Sequence, residues 1–146
     1  MPDCKGYEFP PYTFQVEKGQ VQLFLKAINE TGELYTNEEA AKAAGYRSTL
    51  VPPTMFGFGS SEDPFDFLEV CDMDFSGLLH GGQSLTHHQP VCVGDVITEH
   101  KKITDYFEKK GGAMAFAVIT IEFRNQDGEL VCESKQTLIC QKQVEA

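Results

Sequence analysis

The 146-residue chain reads as one α+β domain built on an antiparallel sheet, and two observations predict this. The back half carries three long strand-like stretches, 96–107, 113–123 and 129–140, separated by the turn signals Lys109-Lys110-Gly111-Gly112 and Asn125-Gln126-Asp127-Gly128. Successive strands joined by such short turns pair antiparallel. The front half instead carries helical spacing, set between loops rich in Gly, Pro and Asn. The length allows one real core and is too short for two domains.

In order along the chain, residues 1–11 are proline-rich and irregular, an arm expected to lie on the surface or reach a partner, ahead of a single domain over 12–146. Residues 12–16 alternate aromatic and polar as a short strand does. From Lys18 onward Val21, Phe24, Leu25 and Ile28 fall at i, i+3, i+4 and i+7, the stripe of a core-facing helix. A small, polar loop follows over 29–34. Thr36 with Glu39 then makes a capping-box pattern ahead of the alanine-rich run 38–44, which Gly45 stops. Pro53 stands where another helix would begin, since proline in a first turn loses no hydrogen bond. Gly57, Gly59 and the Ser-Ser-Glu-Asp-Pro run 60–64 end that helix early, and a short helical piece is expected over 64–70. Gly81-Gly82 reads as a turn into a strand over 83–88, and 90–94 as a connection. In the stretch 113–123, Ala115, Ala117, Ile119 and Ile121 fall on one face and Met114, Phe116 and Val118 on the other, so both faces call for cover. One face is expected to wrap a helix, and the other to meet extra elements or a second protein.

Composition excludes several classes. A formal charge of -10 argues against nucleic-acid binding. No run approaches the ~18 apolar residues of a membrane helix, and residues 1–8 have neither a basic start nor an apolar core, so a soluble, cytoplasmic protein is expected. The five cysteines are scattered, with no Cys-x-x-Cys pair, which suggests a reduced compartment and buried thiols. His87 and His88 are neighbours on a strand and point to opposite faces, so they are not two ligands of one metal. Neither a metal nor a cofactor is called for. The basic clusters are Lys42 with Arg47, Lys101 with Lys102, and Lys109 with Lys110, each read as a solvated face.

The stretch Asn-Glu-Thr-Gly-Glu-Leu-Tyr at 29–35, its acidic-to-alanine helix, and the Pro-Pro-Thr at 52–54 together resemble the MaoC-like hydratases and dehydratases. The resemblance implies a hotdog fold, an antiparallel sheet wrapped around a central helix, and an acyl thioester as substrate. In that family the loop reads close to Gly-Asp-x-Asn-Pro-Leu-His. With Leu34 on the family's leucine, Tyr35 takes the place of the histidine and Glu30 that of the aspartate, so both catalytic types are replaced. A phenol with a reference pKa of about 10 is a poor general base near neutral pH, and one methylene of displacement at Glu30 can cost on the order of a hundredfold in rate.

Residues 77–95, with Leu-His-Gly-Gly-Gln at 79–83 and His-Gln-Pro at 88–90, are similar to the non-catalytic half of two-part members of the family. Gln89 stands where those proteins usually carry arginine. The resemblance implies a supporting subunit that binds acyl-CoA or an acyl-carrier-protein thioester, paired in a homodimer or with a catalytic MaoC-like subunit. Acyl-binding candidates are Pro53, Met55, Phe56, Gly57 and Phe58. The glycines there leave room either for an acyl chain or for a close helix-to-sheet contact. His80 is read as capping a turn or contacting a substrate carbonyl. Alternatives are a homodimeric enzyme using Glu30, Tyr35 or His80, a hotdog thioesterase using Glu62 or Asp63, and a non-catalytic acyl-binding module.

Overall fold

The computed structural model describes residues 1–56 and 63–142. Five antiparallel strands form one sheet in the order β1-β3-β4-β5-β2: β1 Tyr12–Gln15, β2 Leu78–His87, β3 Val96–Lys109, β4 Met114–Arg124 and β5 Leu130–Gln141. The β3–β4 and β4–β5 hairpins turn where Gly111-Gly112 and Asn125 to Gly128 were expected to turn them. Gly111, Gly112 and Gly128 all have positive φ, the left-handed region that a residue without a Cβ enters at low cost.

Alternation along the strands decides what the sheet covers. Ala115, Ala117, Ile119, Ile121 and Phe123 of β4 are buried on the inner face with Ile97, Ile103, Cys132, Leu138 and Cys140 of its neighbours. Phe56, Phe67, Cys71 and Met73 pack onto that face, Phe56 with its ring centroid 5.0 Å from that of Phe123. Within 63–74 the helical content is one turn, α4 Phe67–Val70, so the short piece expected over 64–70 forms at its end. On the outer face Phe107 and Phe116 stack at 4.8 Å with the Lys109 ammonium over both rings. That face is half covered, not buried like the inner one.

Helix α1, Lys18–Ile28, buries Val21 and Leu25, while Ile28, counted in its apolar stripe, is 46% exposed. It ends at Asn29, which has φ 56°, and the Glu30 amide returns to Leu25 O at 2.9 Å, a Schellman-type closure. Part of the expected loop is helical: α2 spans Glu33–Thr36 and α3 spans Glu38–Ala43. The cap of α3 is Asn37, not Thr36. Asn37 Oδ1 accepts from the Glu39 and Ala40 amides at 3.0 and 3.2 Å, while Thr36, inside α2, donates its hydroxyl to Gly32 O.

One further reading changes. Gly81 and Gly82 do not turn the chain; they lie inside β2, with a register shift between His80 and Gly82. Residues 1–11 are held along β3: Gly6 N donates to Ile103 O at 2.7 Å, Phe9 N to Lys101 O at 2.9 Å, and Cys4 and Phe9 are buried. All five cysteines are buried, as their scatter suggested. Among the described residues no helix is long and apolar enough to cross a membrane.

Candidate functional site

The loop after α1 is held from two sides. A short ladder joins 48–51 to 91–93: Ser48 Oγ donates to Val93 O at 2.6 Å, Val93 N to Thr49 O at 2.9 Å, and Val51 N to Val91 O at 2.8 Å. Leu50 N then reaches Leu34 O at 3.0 Å and ties α2 to this ladder. Beneath it Asp95, 5% exposed, accepts from Arg47 Nη2 at 2.5 Å, from the Cys92 amide at 3.0 Å and from Gln126 Nε2 at 3.3 Å. Arg47 is therefore a structural cation. Lys42 pairs with Glu38, Lys101 with Asp66 and Lys102 with Glu8, so these too are ion-paired.

On this frame Glu30 and Tyr35 flank Gly32. A Cβ built at Gly32 would stand 2.9 Å from Glu30 Oε1 and 3.2 Å from Tyr35 Cδ2, so the loop brings the two side chains to one point. Their chemistry is nevertheless that of a folded turn. Glu30 Oε1 accepts the Gly32 amide at 2.8 Å, closing the loop on itself, and Tyr35 is partly buried against the core. A phenol, with a reference pKa of about 10, is a poor general base near neutral pH.

His80 is far along the chain from this loop and lies elsewhere in the fold. It sits in β2 opposite Leu138 and lines a cleft of about 490 Å3 with Phe65, Phe67, Phe75, Leu78 and Leu138. Gln136 adds the other polar group there. Phe65 and Phe75 meet edge to face at 5.0 Å and remain 44% and 62% exposed. Exposed aromatic rings around a concave apolar surface are the usual wall of a site for an apolar ligand. Of the expected acyl-binding residues, Pro53 and Phe56 border a smaller cleft, about 290 Å3, with Tyr35 and His87. Met55 faces a third, beside Tyr12 and Phe14. Gly57 and Phe58 lie outside the described residues, as does Glu62, while Asp63 accepts the Phe65 amide at 2.9 Å. The reading of the chain missed Phe65, Phe75, Leu78 and Leu138 as a wall. They come from three segments, and only the excess of phenylalanine over 65–75 hinted at it.

Among the described residues no group of three or more His, Cys, Asp or Glu side chains is placed to hold a metal. His88, beyond the end of β2, bonds Glu133 at 2.7 Å.

Comparison with known proteins agrees with this architecture. A family model described as FAS1-like, dehydratase domain region, matches residues 3–134. A UPF0336 protein of Saccharopolyspora erythraea is 31% identical over 92% of this chain and 86% of its own length. Among solved structures, the HadBC (3R-hydroxyacyl-ACP dehydratase) complex from Mycobacterium tuberculosis contains a chain superposing with TM-score 0.80 and 28% identity, covering 94% of this chain and 97% of that one. The ChsH1-ChsH2 complex from the same organism gives TM-score 0.71 at 21% identity, covering 95% and 86%, a likeness of fold.

Proposed function

Because the chain belongs to the FAS1-like dehydratase region family and has the hotdog α+β fold of the MaoC-like hydratases, we propose that it is the supporting subunit of an acyl-thioester hydratase or dehydratase. In this role it holds the acyl group while a partner's intact Asp/His loop handles water and proton. The observation that carries the reading is the state of its own loop: Glu30 is engaged by the Gly32 amide and Tyr35 stands where the family has its base.

Two features support the division of labour. The cleft of Phe65, Phe67, Phe75, Leu78 and Leu138 gives an acyl chain an apolar wall, with His80 and Gln136 as polar contacts for a carbonyl or hydroxyl. Strand β2 is ten residues long, lies at the edge of the sheet, and carries no acidic residue and no lysine. Edges that must stay alone are usually charged or short, so this one suits pairing with a second chain. The heteromeric assembly named for the HadBC relative is consistent with that use.

The test is hydration of trans-2-enoyl-CoA by the purified chain, alone and mixed with a subunit bearing the intact loop. No turnover alone and turnover in the mixture is the expected result. In the mixture, Glu30→Ala and Tyr35→Phe are expected to change kcat/KM by less than about threefold, because neither side chain handles a proton. Leu138→Phe is expected to raise KM for a decenoyl substrate at least about fivefold more than for a butenoyl one, by narrowing the cleft. Turnover by the chain alone that Glu30→Ala abolishes would overturn the reading.

A further inference from the structure

The wall of the apolar cleft is held by residues that do not line it. Phe65 and Phe67 flank Asp66, which stands at the head of α4. An aspartate there ordinarily caps the turn, yet the Asp66 side chain bonds no α4 amide. It accepts instead from Lys101 Nζ at 2.5 Å, across 35 residues of chain. Lys101 stands on β3 opposite Ile121, and its side chain is only 10% exposed. A lysine is seldom buried so far unless its charge is met. Here Asp66 meets it on one side and the Phe9 ring on the other, with the ammonium 4.4 Å from the ring centroid.

A second contact joins the same two stretches. Cys4 and Cys71 are both buried, and their thiols hydrogen-bond each other. Cys71 directly follows α4, and its amide donates to Phe67 O at 2.9 Å. Residues 4–9 therefore reach segment 66–71 at both ends: Phe9 through Lys101 at Asp66, and Cys4 at Cys71. The arm is itself fixed on β3 through Gly6, Tyr7 and Phe9. Leu68, Cys71, Asp72 and Met73 donate their amides within their own segment, so side chains set its orientation on the sheet. A shift of that segment carries the rings of Phe65 and Phe67 with it.

We propose that Lys101 and Asp66, with Phe9 of the N-terminal arm behind them, are positioning residues that set how long an acyl chain the cleft accepts. They act through Phe65 and Phe67, whose rings they hold in place, and not by touching the acyl chain. A short acyl group has few carbons to lay against those rings, so a displaced wall costs a long chain more than a short one. The inference rests on the acyl-holding reading and deepens it, by naming residues outside the cleft that decide its selectivity.

The experiment measures kcat and KM for trans-2-decenoyl-CoA and trans-2-butenoyl-CoA with the full chain mixed with a subunit bearing the intact loop. Calorimetric titration of the chain alone with decanoyl-N-acetylcysteamine reports on the cleft directly. Lys101→Met keeps the stem and removes the charge, while Asp66→Asn keeps the shape and weakens the bond. Each is expected to raise the decenoyl KM about fivefold, to keep the butenoyl KM within about twofold and to leave kcat unchanged, a split that a simple loss of folded protein does not produce. Each should weaken decanoyl binding by the same factor. The double variant is expected to be no worse than either single one, because both break one contact. Phe9→Leu is expected to shift the decenoyl KM the same way by about threefold. Asp66 is partly exposed, so its variant stays informative if Lys101→Met fails to fold. The inference is overturned if the variants raise both KM values alike, if they lower kcat with KM unchanged, if their effects multiply in the double variant, or if the wild type binds the decanoyl thioester and the variants bind it equally well. If the wild-type chain binds no decanoyl thioester and the mixture turns over neither substrate, the acyl-thioester reading itself fails and this inference falls with it.

Discussion

Asp95 accepts hydrogen bonds from three stretches of chain, through Arg47, the Cys92 amide and Gln126, while almost wholly buried. Its removal strands a buried amide and frees two side chains at once, so Asp95→Ala is expected to cost about 2–3 kcal/mol in urea unfolding. Arg47→Ala is expected to cost nearer 1 kcal/mol, because that side chain is 57% exposed and two donors remain on the carboxylate. The Gly-Asp pair at 94–95 was legible as part of a family-like stretch, but its partners lie 48 and 31 residues away, a distance no local pattern spans. The same limit explains the misplaced helix cap. Thr36 and Asn37 are both able to cap, and what decides between them is that α2 already holds Thr36, a one-turn helix fastened by Leu34 O to the ladder at Leu50.

Among the elements, β2 departs most from what its residues suggest. A glycine pair ordinarily marks a turn, yet here it sits in a strand because Gly81 lies directly over β5. A Cβ at Gly81 would stand 2.7 Å from Ile139 Cδ1 and 3.2 Å from Thr137 O, whereas at Gly82 it would meet nothing within 4 Å. Gly81→Ala is therefore expected to destabilise the protein by about 1–2 kcal/mol, and Gly82→Ala to be neutral or stabilising by up to about 0.5 kcal/mol, a contrast that paired thermal melts would show. The three later strands were legible because period-two patterning and turn chemistry agree along them. The apolar cleft was not, because its wall is assembled from the α4 region, β2 and β5, and adjacency across a sheet is written in register rather than in spacing.

The whole molecule carries a signature of its buried acids. Burial, and secondarily Glu133, pushes the Cys132 thiol up to about 11. Burial, then the hydrogen bond to Glu108, raises the Tyr106 phenol, and burial, then Cys4, raises the Cys71 thiol. The unfolded chain gives up these protons first, so this part of the stability is complete below the ordinary thiol range and is lost as pH rises through it toward about 11. Urea midpoints are expected to fall steadily between about pH 8.5 and pH 10.5, and Cys132→Ser to flatten that fall. A midpoint independent of pH over this interval would contradict the burial of these groups.

The strip that runs beside β3 also constrains the order of events during synthesis. Gly6 and Phe9 have their hydrogen-bonding partners at Ile103 and Lys101, and among the described residues β1 pairs only with β3. A ribosome must therefore add more than ninety residues beyond Phe9 before it and Gly6 meet these partners. Until then Cys4 and Phe9, both buried in the finished protein, are in water or in the care of a chaperone. The β3–β4–β5 meander, whose contacts are nearer in sequence, can close while that segment waits, so residues 4–9 are among the last of this domain to find their place.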